Sequence, residues 1–198
     1  MMAGSVVNGR SPYGLSFRAL ASSAMAVGAI WGTTCAWGDT KDSKFIQSAT
    51  NLAGPWLVLA FLVGWCAKSP RSGAVSGLLV LATSVIAYYI AQAFGLRVAN
   101  TRGVLVGVLW FPIASAAGAV LGGLGRIARG TNSRYRATAA LVLGGALVAE
   151  SGILLLNQGG FELGAVAYLA LEMSVGLAVC LRWLQGIHQR RRHDLERR

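Results

Sequence analysis

Two glutamates, Glu150 and Glu172, interrupt long apolar segments and are the residues of this sequence best suited to chemistry. A carboxyl group at membrane depth is costly to bury, so each needs a functional or structural reason. Such a group can bind a cationic or donor-rich ligand, relay a proton, or be protonated and hydrogen-bonded to a neighbouring helix. The residues alone leave these three chemistries open.

The segments that carry the two acids place them at similar depth. If residues 137–156 and 163–183 form antiparallel helices, helix rise puts Glu150 roughly 20 Å from the inner end of its span, in a core about 30 Å thick. Glu172 then lies roughly 15 Å from the outer end of its own span. Both acids are therefore predicted in the middle to outer half of the membrane, but depth does not decide whether they face one cavity.

Composition assigns the chain to the integral membrane proteins. Of its 198 residues, 55% are hydrophobic and 13% are charged, unlike a soluble domain of this size. Six segments have about the length and apolarity needed to cross a bilayer as helices, and they are residues 17–37, 52–67, 74–94, 103–125, 137–156 and 163–183. The predicted fold is all-α, with a single six-helix transmembrane domain (1–184) in the cell membrane and a basic cytoplasmic tail (185–198).

The distribution of Lys and Arg predicts the orientation of the chain. The net charge is +11, and the basic residues concentrate in one set of short loops and at the chain ends, which marks the cytoplasmic side. Both termini are therefore predicted to be cytoplasmic, and the basic residues left for the outer loops are Lys41, Lys44, Arg97 and Arg102. No basic patch is interleaved with aromatic residues, so we expect no nucleic-acid partner.

Polar and aromatic residues of the spans cluster at the predicted depth of the two acids. Besides Glu150 and Glu172, the predicted ligand-binding residues are Trp31, Tyr88, Gln92, Trp110, Asn157 and Tyr168. Aromatic walls with a few polar groups are the usual form of a small-molecule site. Carboxylates beside aromatic rings favour a cationic or nitrogen-rich ligand, so we expect a pocket for such a molecule that opens to the outside.

Residues required for common membrane chemistries are missing from the spans. None of the spans contains a histidine, no two cysteines are neighbours, and no aspartate cluster could hold a pair of metal ions. The chain also lacks a phosphate-binding loop of the Walker type, so any ATP must be hydrolysed by another protein. We therefore expect no enzymatic activity, no cofactor and no metal site.

Small residues predict close helix packing on two spans. The first span carries Ala24, Gly28 and Gly32 at four-residue spacing, which lets another helix backbone approach. That backbone belongs either to another helix of this chain or to a separate membrane subunit that docks on this ridge. The lower half of the fourth span has a second small-residue face, formed by Ser115, Gly118, Ala119, Gly122 and Gly123.

Four features of the chain stand out: six helices in 198 residues, both ends inside, the ridge at Ala24, Gly28 and Gly32, and the outer polar cluster. In these features the chain resembles the substrate-binding S components of energy-coupling-factor vitamin transporters. The resemblance implies a ligand held between the later helices and the outer loops. It also implies docking of the first helix on a transmembrane coupling subunit through an alanine-rich motif, in which two positions are glycine here. The chain further resembles a group of uncharacterised small actinobacterial membrane proteins in the stretches GPWL (54–57), FLVG (61–64) and KSPR (68–71).

The sequence thus predicts a membrane protein that binds a small cationic or nitrogen-rich molecule from the outer side and helps to move it inward with partner subunits. Two alternatives stay open. One is a non-catalytic accessory subunit packed against a larger membrane complex, in which the two acids form interhelical hydrogen bonds. The other is a self-contained, proton-coupled transporter in which Glu150 and Glu172 form the relay.

Overall fold

Five long helices and one bent pair of shorter helices make up the described part of the protein. The computed structural model describes residues 16–95, 101–157 and 162–196. Within them the helices are α1 (Phe17–Gly38), α2 (Lys44–Asn51), α3 (Ala53–Trp65), α4 (Pro70–Ile90), α5 (Thr101–Ala128), α6 (Ser133–Asn157) and α7 (Leu163–Glu196). A π-helical turn, Ala91–Gly95, extends α4. No strand occurs in these residues, so the predicted all-α fold is confirmed.

The predicted spans are recovered, with one difference. Five helices are long and apolar enough to cross a membrane, and α2 together with α3 forms a sixth candidate span that is bent by 46°. The second predicted span, residues 52–67, corresponds to α3 alone, and α2 occupies the loop that precedes it. Helix α7 continues without a break through the predicted domain boundary at residue 184.

Some predictions fall outside the described residues. The charge pattern that predicts the orientation includes Arg10 and Arg97, and the predicted loop between the last two spans includes residues 158–161; all of these lie outside the described residues. The side chains of Arg102, Asn157 and the tail residues 186–198 also lie outside the described part of the chain.

The break between α2 and α3 follows from Pro55. In one continuous helix its ring would clash with the carbonyl of Asn51, four residues earlier, and its nitrogen has no hydrogen to donate. The chain instead becomes extended at Leu52 (φ −74°, ψ 152°). Helix α3 then starts at Ala53, so Pro55 lies in the first turn, where no intrahelical N–H bond is lost.

Helix α3 differs from its neighbours in how the free backbone N–H groups of its first turn find hydrogen-bond acceptors. Ser16, Ser43 and Ser69 cap α1, α2 and α4, because each serine oxygen accepts a hydrogen bond from an N–H of the first turn. Leu52 stands at the same position before α3 and offers no side-chain acceptor. The N–H groups at the start of α3 therefore need an acceptor from another part of the chain.

The ridge of Ala24, Gly28 and Gly32 is buried inside the protein. Gly28 lies against the Val80 carbonyl and Gly32 against the Ser84 carbonyl, and both carbonyls belong to α4. Helix α4 of the same chain therefore occupies this face. The prediction that a partner subunit docks here is corrected to internal packing, because a side chain at either glycine would overlap the α4 backbone.

The second small-residue face joins three helices. Helix α4 is central in the fold and packs against α1, α3 and α5. Gly118 and Gly122 of α5 lie against the backbone of Gly77 and Gly73 of α4, and Gly64 of α3 lies against the Gly122 carbonyl. The backbones of α3, α4 and α5 thus meet around Gly122 with no side chain between them.

Large apolar side chains cover the outside of the bundle. On α5 alone, the exposed ones include Leu105, Val108, Leu109, Ile113 and Val120. In water such a surface would drive association, whereas in a bilayer it contacts lipid tails. The protein therefore turns apolar residues both inward, into its core, and outward, towards lipid.

We expect the Gly122→Ala variant to lose stability, since its new Cβ would overlap the Gly73 carbonyl and lie 2.8 Å from the Gly77 Cα. Overpacking of this kind costs about 1–3 kcal/mol in free energy of unfolding. The matched control is Gly145→Ala in α6, where a Cβ meets nothing within 4 Å. Thermal unfolding of both variants in detergent would contradict the packing described here if they melted at the same temperature.

Candidate functional site

The two membrane acids meet at the start of α3. Glu150 reaches across from α6, and its Oε1 accepts a hydrogen bond of 2.5 Å from the Ala53 N–H. Glu150 therefore caps α3 from a position 97 residues away in sequence, and its negative charge lies at the positive end of the helix dipole.

Glu172 completes the site from α7. Its side chain is buried, with 6% of its surface exposed, and its Oε1 packs directly on the Cα of Gly54, in the space that any other side chain at this position would fill. The two carboxyl groups are therefore neighbours, since Glu150 Oε1 is bonded to the Ala53 N–H and Glu172 Oε1 packs on the next residue, Gly54. The structure thus brings the two acids together at one point, which their depth alone could not decide.

A cavity of about 670 Å³ lies beside the Glu150 carboxyl group. Its walls come from the α2–α3 break and from α3, α4, α5 and α6, and they are mostly aliphatic and aromatic. Its polar and aromatic lining residues are Asn51, Trp56, Tyr88, Tyr89, Trp110 and Glu150. Glu150 is the charged residue of this wall, so the cavity pairs an apolar interior with one carboxyl group.

A second polar cluster lies at the C-terminal end of α1 and includes Asn51 and Tyr88 of the cavity wall. The Asp39 carboxylate accepts hydrogen bonds from Tyr88 Oη, from Asn51 Nδ2 and, at 2.9 Å, from Gln92 Nε2. Gln92 Nε2 also lies 2.7 Å from Tyr88 Oη. Because α1, α2 and α4 each supply a partner, this cluster holds the three helices together and orients the Tyr88 ring on the cavity wall.

Trp56 connects the two helices of the broken span, α2 and α3, through a hydrogen bond. Its Nε1 donates a hydrogen bond of 3.1 Å to the Thr50 carbonyl, across the break. Its ring packs edge-on against Tyr88, with centroids 6.3 Å apart, and Tyr88 packs in the same way against Tyr89 at 5.0 Å. Three rings from α3 and α4 therefore form one continuous aromatic wall.

The predicted site residues divide into those at the site and those away from it. Glu150, Tyr88 and Trp110 line the cavity. Gln92 donates a hydrogen bond to Asp39 in the neighbouring polar cluster. Tyr168 lies on α7 near both acids, and its ring packs edge-on against Phe45 with centroids 5.6 Å apart. Neither Trp31 nor Gln92 is among the lining residues, and Asn157 has a side chain outside the described part of the chain.

Sequence reasoning missed four contributors to the site. The Ala53 N–H and the Cα of Gly54 take part through the helix break, which the Gly54-Pro55 pair after Asn51 could have signalled. Ser151 is adjacent to Glu150 in sequence, and its hydroxyl is fully buried. Asp39 follows the last residue of α1, and nothing in the sequence connects it with Tyr88, 49 residues away.

The described residues contain no group of three or more His, Cys, Asp or Glu side chains that could hold a metal ion. Comparison with protein families matches residues 14–192 to DUF6518, described as a family of unknown function. No curated protein and no solved structure matches the chain.

We expect Glu150→Ala to destabilise the protein, because it leaves the first N–H groups of α3 without an acceptor. The cost of such a loss is about 1–3 kcal/mol in free energy of unfolding. Glu150→Gln should stay close to wild type, since its amide oxygen can still accept from Ala53. Unfolding followed by tryptophan fluorescence measures both variants, and Trp56 in α3 lies close to the site.

The matched control for this prediction is Glu162→Ala. Glu162 is exposed and forms only a long ion pair with Lys44, at 3.9 Å, and exposed pairs contribute little. Equal stabilities for Glu150→Ala and Glu162→Ala would exclude a capping role for Glu150.

Proposed function

We propose that the chain, which belongs to the DUF6518 family, is a multi-pass protein of the cell membrane that binds a small cationic or nitrogen-rich molecule from the outer side and takes part in its uptake. The observation that carries this proposal is the cavity of about 670 Å³ with the Glu150 carboxyl group on its wall. Small-molecule sites are concave, mostly apolar and fixed by a few polar groups, and this cavity has all three properties.

The cavity wall narrows the chemistry of the ligand. Trp56, Tyr88 and Trp110 offer ring faces to a positive charge and flat surfaces to an apolar body. Glu150 offers one carboxyl group, and no Lys, Arg or His belongs to the described cavity wall. A molecule with an aromatic or aliphatic body and one cationic nitrogen therefore fits best, whereas an anion would meet a carboxylate without a counter-charge.

The entry side follows from the charge distribution. The short basic loops predict that the connection between α3 and α4 and the connection between α5 and α6 are cytoplasmic. The α2–α3 break and Asp39 then face the outer side, so the cavity lies in the outer half of the membrane. Since no Walker-type loop exists in the sequence, uptake driven by ATP would require partner subunits.

The docking surface of such partner subunits is not the ridge of Ala24, Gly28 and Gly32 on α1, because α4 covers that ridge.

The proposal is tested by ligand-induced stabilisation of the purified protein. We expect tryptamine and phenethylamine to raise the melting temperature, and the matched alcohols tryptophol and 2-phenylethanol to have little effect, because only the amines carry a charge for Glu150. Loss of a hydrogen bond to a charged group costs about 1.5–3 kcal/mol. Glu150→Gln should therefore weaken amine binding roughly tenfold to a hundredfold.

Glu162→Gln is the control, since it removes a carboxylate that lies outside the cavity wall. It should leave the amine response unchanged. The proposal fails if the amines do not stabilise the folded wild-type protein beyond the matched alcohols, or if they stabilise wild type and Glu150→Gln to the same extent.

A further inference from the structure

Four buried oxygen atoms beside the start of α3 have no hydrogen-bond partner. They are Glu150 Oε2, Glu172 Oε1, Glu172 Oε2 and Ser151 Oγ. Ser151 is fully buried and Glu172 is 6% exposed. A buried polar atom left without a partner costs about 1–3 kcal/mol, so four in one place indicate that the site holds a positively charged species.

The donors at this site can be counted. The Ala53 N–H is bonded to Glu150 Oε1, and the buried hydroxyl of Ser151, which is next to Glu150 in sequence, has no partner. No donor of the described residues is bonded to Glu150 Oε2 or to either Glu172 oxygen. Two ionised carboxylates at hydrogen-bonding distance repel each other strongly, and such pairs hold a proton between them.

We propose that Glu150 and Glu172 form a proton-binding site in which one dissociable proton is shared between the two carboxyl groups. The proton bridges Glu150 Oε2 and one oxygen of Glu172, and the Ser151 hydroxyl donates to the other Glu172 oxygen. All four atoms are then satisfied. The single negative charge that remains lies on the pair at the start of α3, where the Ala53 N–H and the helix dipole stabilise it.

One proton explains the site better than a metal ion does. Ca²⁺ takes six to eight oxygen ligands, and Mg²⁺ requires a near-ideal octahedron. The site offers two carboxyl groups and one hydroxyl, with Glu150 Oε1 already bonded to Ala53. A third acidic or histidine ligand is absent from the described residues around it.

The surroundings contain few other titratable groups. Tyr168 lies one turn before Glu172 on α7, and Tyr88 and Tyr89 of α4 line the cavity next to Glu150. Helix α3 carries no ionisable side chain, and Asp39, the residue after α1, is bonded to Tyr88, Gln92 and Asn51. Across the described interior, no Lys, Arg or His acts on either carboxyl group.

The proton exchanges with the cavity through Glu150. Glu150 lines the cavity, whereas Glu172 lies behind it against Gly54. This arrangement needs no ligand in the cavity, so the proton site goes beyond the proposed function and stands or fails separately from it.

The site is tested by infrared spectroscopy of the full-length protein reconstituted in lipid at neutral pH, with no amine present. A protonated carboxyl group gives a C=O stretch that shifts in heavy water. We expect one carboxyl equivalent of this band per chain in wild type. The band should be lost in Glu150→Gln and in Glu172→Gln, since the new amide donates an N–H to the remaining carboxylate and replaces the shared proton.

Glu162→Gln is again the control and should keep the full band, and helical circular dichroism verifies folding of every variant. Ser151→Ala removes only the donor to Glu172, so it should shift the band without abolishing it. The proposal is overturned if folded wild type shows no such band, if the band survives in either single glutamine variant, or if sodium chloride stabilises the protein more than choline chloride does, which would indicate a sodium site.

Discussion

A helix that begins within a membrane must find acceptors for the N–H groups of its first turn, because lipid supplies none. Helix α3 meets this constraint, since Pro55 breaks the span at Leu52 and Leu52 has no side-chain acceptor. Glu150 of α6 supplies the missing acceptor. This single contact connects the position of an acid, the break in a span and the relative placement of α3 and α6.

The break lies at the wall of the cavity that contains Glu150. The bent pair of α2 and α3, with an angle of 46°, bounds this cavity together with α4, α5 and α6. The Asp39 cluster and the hydrogen bond from Trp56 to Thr50 hold the bend in place. Transporters use broken helices in a related way, with half-helix termini directed at charged groups near the middle of the membrane; here the charged group belongs to the protein itself.

Glycine contacts make the rest of the bundle rigid enough to support this site. Helix α4 is held against α1 by Gly28 and Gly32, and against α5 by Gly118 and Gly122. Because these contacts join backbone to backbone, the helices cannot move apart or rotate without losing them. The aromatic wall on α4 therefore keeps a fixed position relative to the carboxyl pair.

The sequence by itself determined the membrane class, five of the spans and the small-residue faces, because hydropathy and spacing are local properties of the chain. The tertiary structure decided which way each face points. It placed α4 on the ridge of α1, brought Asp39 to Tyr88, and directed both acids at the start of α3. Rotation about a helix axis depends on all of its neighbours at once, so the convergence of two carboxyl groups on one helix start could not be derived from either span alone.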